Sequence, residues 1–116
     1  MSRSINKIII VGNVGNDPEV RVIGSGAKVA NISVATNWRT GGEAPEERTE
    51  WHRVALWGRL AQLAEDFVSK GDKLLVEGHL QYDSYERDGV TIPTAEIRAT
   101  DFMMLSPRPE AVEAAA

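Results

Sequence analysis

The sequence predicts a mainly β-sheet protein, and three observations point to that class. The β-branched run from Ile8 to Val11 is too short for a helix and is typical of a strand. Turn-forming residues, such as Gly24–Gly26 and Gly41–Gly42, divide the following chain into short segments. The apolar spacing of a helix occurs in one segment, after residue 59.

Five long strands are predicted along the chain. The run from Ile8 to Val11 is apolar at both parities, so the first strand is expected to be buried on both faces. The segment Glu19–Ile23 resumes the extended conformation before a turn. An exposed polar loop, Arg39–Arg48, and a charged hairpin tip, Asp83–Gly89, are predicted between strands. The five strands are Ile5–Asn13, Lys28–Trp38, Thr49–Gly58, Lys73–Tyr82 and Val90–Leu105.

One helix is predicted between the third and fourth strands. Its apolar residues follow amphipathic spacing, and they are Leu60, Leu63, Ala64, Phe67 and Val68. Lys70 lies in the predicted last turn, and Gly71 ends the helix. Five strands with a helix in this place is the order of the OB-fold, a five-stranded Greek-key barrel. We predict this all-β domain over residues 1–106 and a short flexible C-terminal tail over residues 107–116.

Composition and charge narrow the function classes. The chain has no cysteine, which excludes disulfides, cysteine-based zinc sites and thiol nucleophiles. It also lacks an apolar run near the roughly 20 residues that span a bilayer, so a cytoplasmic protein with no membrane partner is expected. The net charge is −4, yet residues 1–59 carry eight Lys/Arg against six Asp/Glu. A basic face on an acidic protein is therefore compatible with the sequence, because a phosphate backbone responds to the local field.

The third strand carries the most informative pattern. Alternate side chains of a strand share a face, and Val54 and Leu56 form the parity expected to face the core. The other parity interleaves aromatic and basic residues: Trp51, Arg53, Ala55, Trp57 and Arg59. Indole faces stack on unpaired bases at about 1–3 kcal/mol each, and guanidinium groups neutralise the phosphates between them. The pattern favours binding of a single-stranded nucleic acid, because a duplex hides its base faces.

Other interpretations of these residues stay open. Trp51 and Trp57 are ordinary core aromatics in one of them, with the arginines on a solvated rim. Trp38 adds a third aromatic at a strand end, which alone favours neither interpretation. Catalytic signals are missing, because Gly12–Gly15 lacks the ending of a phosphate loop and two histidines are too few for a His-rich metal site. We therefore expect no enzyme activity, no cofactor and no metal.

Several motifs agree in order and spacing with one known family. They are Asn6–Asn13, Gly15, Asp17–Arg21, Val29–Ile32, Ala35–Thr36, Thr49–Val54, Gly58–Ala61, Lys70–Gly71 and Val76–Gly78. On these motifs the chain resembles the bacterial single-stranded-DNA-binding protein family over Ser2–Leu105. The resemblance implies an OB-fold, usually a homotetramer, that wraps single-stranded DNA in replication, recombination and repair near the nucleoid.

The resemblance also implies roles for individual residues. The base-stacking aromatics of the family correspond to Trp38, Trp51, Trp57 and, in the last hairpin, Tyr85, with Tyr82 nearby. Its phosphate contacts correspond to Lys7, Arg21, Arg53 and Arg59, with Arg3 as an addition. His52 matches a position at the family's subunit contact, although a hydrogen-bonded core histidine is the alternative.

Two departures from the family pattern affect the expected partners. The hairpin is acidic rather than basic, with Asp83, Glu86 and Asp88 around Arg87, so weaker phosphate binding is expected there. The end of the chain, Glu110–Ala116, lacks the acidic tip through which the family recruits replication and repair proteins. An alternative function is therefore kept: an OB-fold interaction module of the replication machinery that binds DNA weakly. The acidic second half of the chain is its best support.

Overall fold

The computed structural model describes residues 3–106. The predicted tail, residues 107–116, lies outside the described residues. In the described part the backbone forms six strands and one helix: β1 Ile8–Val14, β2 Glu19–Val22, β3 Lys28–Arg39, β4 Glu47–Trp57, α1 Arg59–Phe67, β5 Lys73–Arg87 and β6 Val90–Met104. No helix within these residues is long and apolar enough to span a membrane.

The strands close into a barrel. Neighbouring strands follow the order β1-β5-β6-β4-β3, and β1 also pairs with β3 at Asn13 and Val14, which completes the ring. All of these pairings are antiparallel except β4 with β6, which is parallel. The short β2 pairs with β3 and lies outside the ring. A closed five-stranded ring with one helix between its third and fourth strands confirms the predicted OB-fold.

Close approach of β1 and β3 at the closing point depends on Gly12. A Cβ atom there would lie 2.9 Å from the carbonyl carbon of Ala35 and 2.9 Å from Cγ1 of Val34. Real Cβ atoms do not approach other atoms so closely, so any larger residue would push the two strands apart. The glycine that follows the β-branched run is therefore needed to close the barrel.

The barrel interior is filled by aliphatic side chains from every strand of the ring. The largest fully buried residues are Val34, Val54, Leu56, Leu74, Val76 and Ile97. Helix α1 covers one end with two small residues, Ala61 and Ala64, which are completely buried. The helix ends at Phe67, because Val68 adopts an extended backbone and is itself buried. The predicted last turn with Lys70 and the predicted helix end at Gly71 are therefore both wrong. Phe67, expected on the apolar side of the helix, is 43% exposed.

The first strand is buried on one face only. Ile10 and Val14 point into the core, whereas Ile9 is 55% exposed and Val11 is 44% exposed. The expectation of burial on both faces is therefore wrong for the single chain. A β-branched run marks a strand, but it does not show whether the second face is covered by the same chain.

Both loops predicted between long strands are shorter in the structure. Strands β5 and β6 stay paired out to Arg87 and Val90, so most of the predicted hairpin tip, Asp83–Gly89, is strand. Only Asp88 and Gly89 make the turn, with φ angles of 52° and 77°, as a tight hairpin turn requires. Strands β3 and β4 likewise remain paired as far as Arg39 and Glu47.

Candidate nucleic-acid interface

The register of β3 and β4 decides which side chains share the outer face of the barrel. Trp51 pairs with Ala35, Arg53 with Ser33, Ala55 with Asn31, and Trp57 with Val29. Val54 and Leu56 point the other way and are buried in the core. The predicted division of this strand into a core parity and a Trp/Arg parity is thus present in the structure.

A cleft of about 520 Å³ lies along this outer face. One wall comes from β4, with Trp51 and Arg53, and the opposite wall comes from β2, with Glu19 and Arg21. The remaining lining residues are Gly15, Asn16, Asn31, Ile32, Ser33, Val54 and Glu96. The cleft therefore combines an aromatic ring, two guanidinium groups and polar side chains that can donate hydrogen bonds.

Trp51 is the most accessible tryptophan of the described residues, with 61% of its surface exposed. Its ring lies over Gly15, where an added Cβ would be only 2.9 Å from Cη2 of the indole. The backbone of Gly15 is held in place, because its N–H donates to the carbonyl of Ser33 at 2.8 Å. Because Gly15 has no side chain, the indole ring can pack against its backbone.

The basic side chains fall into two groups. Lys7 forms an ion pair with Glu77 at 3.2 Å, and Lys28 forms one with Glu65 at 2.9 Å. In contrast, Arg21 and Arg53, which line the cleft, have no carboxylate within 4.0 Å among residues 3–106. The same holds, over that range, for the exposed side chains of Arg3 and Arg59, which do not line the cleft. Lys7 differs from the other predicted phosphate contacts, because its charge is already partly neutralised.

Two acidic residues of the cleft were missed by the sequence analysis. Glu19 belongs to the wall formed by β2, and Glu96 belongs to β6. The parallel pairs Val54–Ile97 and Ala55–Arg98 bring this part of β6 beside β4. No local pattern gives this pairing, so nothing in the sequence signalled that Glu96 faces the cleft.

Trp57 is more enclosed than Trp51. It is half-buried, and its Nε1 atom is shielded from solvent without a hydrogen-bond partner among the described residues. The guanidinium carbon of Arg98 lies 4.1 Å from the centre of the indole ring. A cation this close to a ring centre makes a cation–π contact. Arg98 is a third residue at this surface, after Glu19 and Glu96, that the sequence did not predict.

Trp38 lies on a different face from Trp51. On β3, Trp38 has its side chain on the same face as Thr36, which pairs with Glu50. Ala35, which pairs with Trp51, has its side chain on the opposite face. The indole Nε1 donates to Oε1 of Glu50 at 3.0 Å, and the ring remains half exposed. The structure therefore does not bring the three tryptophans onto one surface.

The two tyrosines of the β5–β6 hairpin also lie on opposite faces. Tyr85 has the same parity on β5 as His79, which pairs with Arg98, while Tyr82 has the parity of Leu80. Tyr85 therefore shares the outer face with Arg98, and both tyrosines are exposed. Register thus favours Tyr85 over Tyr82 as an extension of the cleft.

His52 lies on the face opposite Trp51, as predicted. It is half-buried, and its Nε2 atom is 2.9 Å from the hydroxyl oxygen of Thr36 on the neighbouring strand. Its ring is therefore hydrogen-bonded within the chain. Among residues 3–106, no group of three or more His, Cys, Asp or Glu side chains is placed to hold a metal ion.

The closed barrel is an OB-fold, and the exposed tryptophan with two arginines in the cleft across its outer face is typical of the nucleic-acid-binding class of this fold. Comparison with known proteins then gives the family. Residues 5–105 match the model of the "Single-strand binding protein family". Because this match spans most of the chain, the protein belongs to that family.

Two relatives and one solved structure illustrate the similarity. The chain is 42% identical over 113 residues to a "Single-stranded DNA-binding protein" of Xanthomonas campestris, covering 95% of this chain and 66% of that protein. It is 42% identical over 115 residues to the protein of the same name from Xanthomonas axonopodis, covering 95% and 63%. The chain thus spans slightly less than two thirds of the length of these relatives.

The solved structure shares the whole barrel. It is described as "Plasmodium falciparum SSB complex with ssDNA" and superimposes with a TM-score of 0.86 at 26% identity. The match covers 91% of this chain and 99% of that one. The architecture of the family is therefore retained at low sequence identity.

Proposed function

We infer that this chain binds single-stranded DNA, without sequence preference, in the cleft between β2 and β4. The observation that carries this conclusion is the exposed ring of Trp51 beside Arg21 and Arg53, which have no carboxylate partner in the described chain. An exposed indole costs solvation free energy unless a ligand covers it. A stacked base covers its face, and phosphates balance the two guanidinium groups.

The other candidate residues extend this surface in both directions. Tyr85 lies on the same outer face as Trp51 and continues the stacking path along it. Trp57 shares this face but can offer a base only the part of its ring that Arg98 leaves uncovered. Trp38 lies on the other face, so it stacks on bases of a DNA strand that wraps around the edge of the β3–β4 hairpin. Arg3 and Arg59 add phosphate contacts outside the cleft. Lys7 adds a weaker one, because DNA must compete with Glu77 for its ammonium group.

Assembly into a homotetramer is part of the proposed function. The outward side chains of β1, Ile9 and Val11, form an exposed apolar strip with Met103 of β6, which is 60% exposed. Val11 pairs with Leu75, which in turn pairs with Met103, so the strip crosses three neighbouring strands. A second copy of the chain would cover these side chains, with His52 at a further contact between subunits.

In the cell, such a protein protects single strands during replication, recombination and repair. This role places it in the cytoplasm near the nucleoid and requires no chemical step, no cofactor and no metal. Replication and repair proteins are further candidate partners.

Titration of tryptophan fluorescence with oligo-dT tests the proposed function. Stacking on Trp51 should quench the parent protein strongly, and an equal length of duplex DNA should quench it far less. Trp51→Ala is the matched variant, because it should remove the part of the quenching that comes from Trp51 and lower affinity roughly ten- to a hundredfold. Quenching and affinity equal to the parent in Trp51→Ala would contradict the proposed cleft.

A further inference from the structure

Arg98 lies beside β4 on the outer face of the barrel because β6 pairs with β4. Strand β6 runs parallel to β4 for two paired positions, and Arg98 lies directly beside Ala55. Ala55 is only 2% exposed, and it separates Arg53 from Trp57 along the strand. The guanidinium group of Arg98 therefore lies next to the face of β4 that is predicted to bind DNA, although Arg98 is distant from β4 in sequence.

The ring of Trp57 is the one partner that the described residues give to this guanidinium. Arg98 has no ion pair and donates no side-chain hydrogen bond within residues 3–106. The cation–π contact to Trp57 leaves the N–H groups at the edge of the guanidinium plane unused. A half-buried guanidinium whose N–H groups make no hydrogen bonds can bind an anion.

The paired cations of the same chain provide a comparison. Lys7, Lys28 and Arg48 each lie within 3.2 Å of a carboxylate oxygen. Glu96 precedes Arg98 by two residues on β6 and faces the cleft, yet it is not within ion-pair distance of that guanidinium. The positive charge of Arg98 is thus left uncompensated at the side of the cleft, where single-stranded DNA would pass.

We propose that Arg98 binds a phosphate group of the bound single strand, and that Trp57 holds the guanidinium plane in the orientation for this contact. An arginine that stacks on an aromatic ring loses less conformational freedom when it binds phosphate. Two of its N–H groups can then donate to two phosphate oxygens at once. Lysine does not reproduce this geometry. The inference rests on the proposed function, because it requires that DNA binds on this face.

The salt dependence of oligo-dT binding tests the proposal. For single strands, the slope of log K against log salt changes by about 0.7 for each phosphate contact. Arg98→Gln should flatten the slope by about that amount and weaken binding roughly tenfold at low salt. Lys28→Gln is the matched control, because it makes the same change in net charge at a cation that is already paired with Glu65.

The possible outcomes separate this proposal from the proposed function. If the parent does not bind oligo-dT, the proposed function fails. If the parent binds and Arg98→Gln keeps the parental slope, only the role of Arg98 is overturned. Circular dichroism shows whether Arg98→Gln is folded. If it is not, Arg98→Lys decides, because we expect it to keep the slope and lose affinity, whereas parental affinity in this variant would overturn the proposal.

Discussion

The indole ring of Trp51 lies directly over Gly15, where an added Cβ would come within 2.9 Å of the ring atom Cη2. Gly15 belongs to the segment between β1 and β2, whereas Trp51 lies on β4. The orientation of the exposed ring therefore depends on a residue from another segment of the chain. A substitution of Gly15 should therefore displace the Trp51 ring, and it tests whether the position of this ring matters for DNA binding.

Gly15→Ala is expected to weaken oligo-dT binding almost as much as Trp51→Ala, by about 1–3 kcal/mol. The methyl group must displace the indole, and a displaced ring no longer presents its face to the cleft. Fluorescence titration measures the affinity, and thermal unfolding shows whether the fold is retained. Gly24→Ala is the control, because an added Cβ there meets nothing within 4 Å. Equal affinity in both glycine variants would show that the ring position does not matter.

Local patterns in the sequence were sufficient for the barrel and for one wall of the cleft. The OB-fold follows from the order of strands and helix, and the division of β4 into two parities follows from the alternation of a strand. Both depend on residues that are close in sequence. Trp51 and Arg53 were therefore found without any knowledge of tertiary contacts.

Tertiary contacts determine the features that the sequence did not predict. Glu96 lines the cleft and Arg98 lies beside Ala55 on the same outer face because β6 pairs with β4 in parallel. Trp38 lies on the opposite face from Trp51 because of the register between β3 and β4. The hairpin between the last two strands was predicted, but its tip was placed over Asp83–Gly89 because these residues are charged. The strands in fact continue to Arg87 and Val90, and Asp88-Gly89 is a sequence that favours a tight hairpin turn.

The register of the hairpin predicts different effects for its two tyrosines. Tyr85→Ala should weaken binding of oligonucleotides long enough to reach the hairpin, by about 1–3 kcal/mol, because Tyr85 shares the face of Arg98. Tyr82→Ala should have little effect, since its ring lies on the other face. The pair is well matched, because both side chains are exposed and neither lies in the core. The predicted assignment would be contradicted by a larger loss in Tyr82→Ala.

Removing the negative charge of Glu96 should strengthen DNA binding. Its carboxylate lines the cleft that we assign to the phosphate backbone, and like charges repel there. Glu96→Gln is expected to raise oligo-dT affinity by about 0.2–1 kcal/mol, roughly 1.5- to fivefold, and the gain should decrease at high salt. Asp101→Asn makes the same charge change on the same strand, outside the residues that line the cleft. An equal gain in both variants would assign the effect to net charge.

Charge introduced into the apolar strip of β1 should disrupt assembly without unfolding the chain. Val11→Lys adds a charge to an outward side chain that is 44% exposed, so the barrel itself can tolerate it. A subunit interface cannot, because an unpaired charge buried there costs several kcal/mol. Native mass spectrometry should detect smaller species for Val11→Lys and, to a lesser degree, for His52→Lys. Parental mass at low protein concentration in both variants would exclude these positions from the interface.

Trp57 and Trp51 should differ in their effects on stability, because their burial differs. Trp51 is mostly exposed, so Trp51→Ala should leave the thermal midpoint nearly unchanged while it lowers affinity. Trp57 is half-buried beneath Arg98, so Trp57→Ala removes packing and leaves a cavity. We expect a loss of about 1–3 kcal/mol in the free energy of unfolding, below the 3–5 kcal/mol of a fully buried aromatic residue.

The indole N–H of Trp57 makes the test sharper. Nε1 is shielded from solvent with no hydrogen-bond partner in the described chain, which costs about 1–3 kcal/mol of solvation free energy. Trp57→Phe removes that group but keeps a ring for Arg98, so its stability should lie well above that of Trp57→Ala. Oligo-dT affinity should follow the same order, because the phenylalanine ring still positions the guanidinium group. Thermal unfolding and titration on the same preparations measure both quantities. If Trp57→Phe binds as weakly as Trp57→Ala, the indole itself contacts DNA, and its role is not to support Arg98.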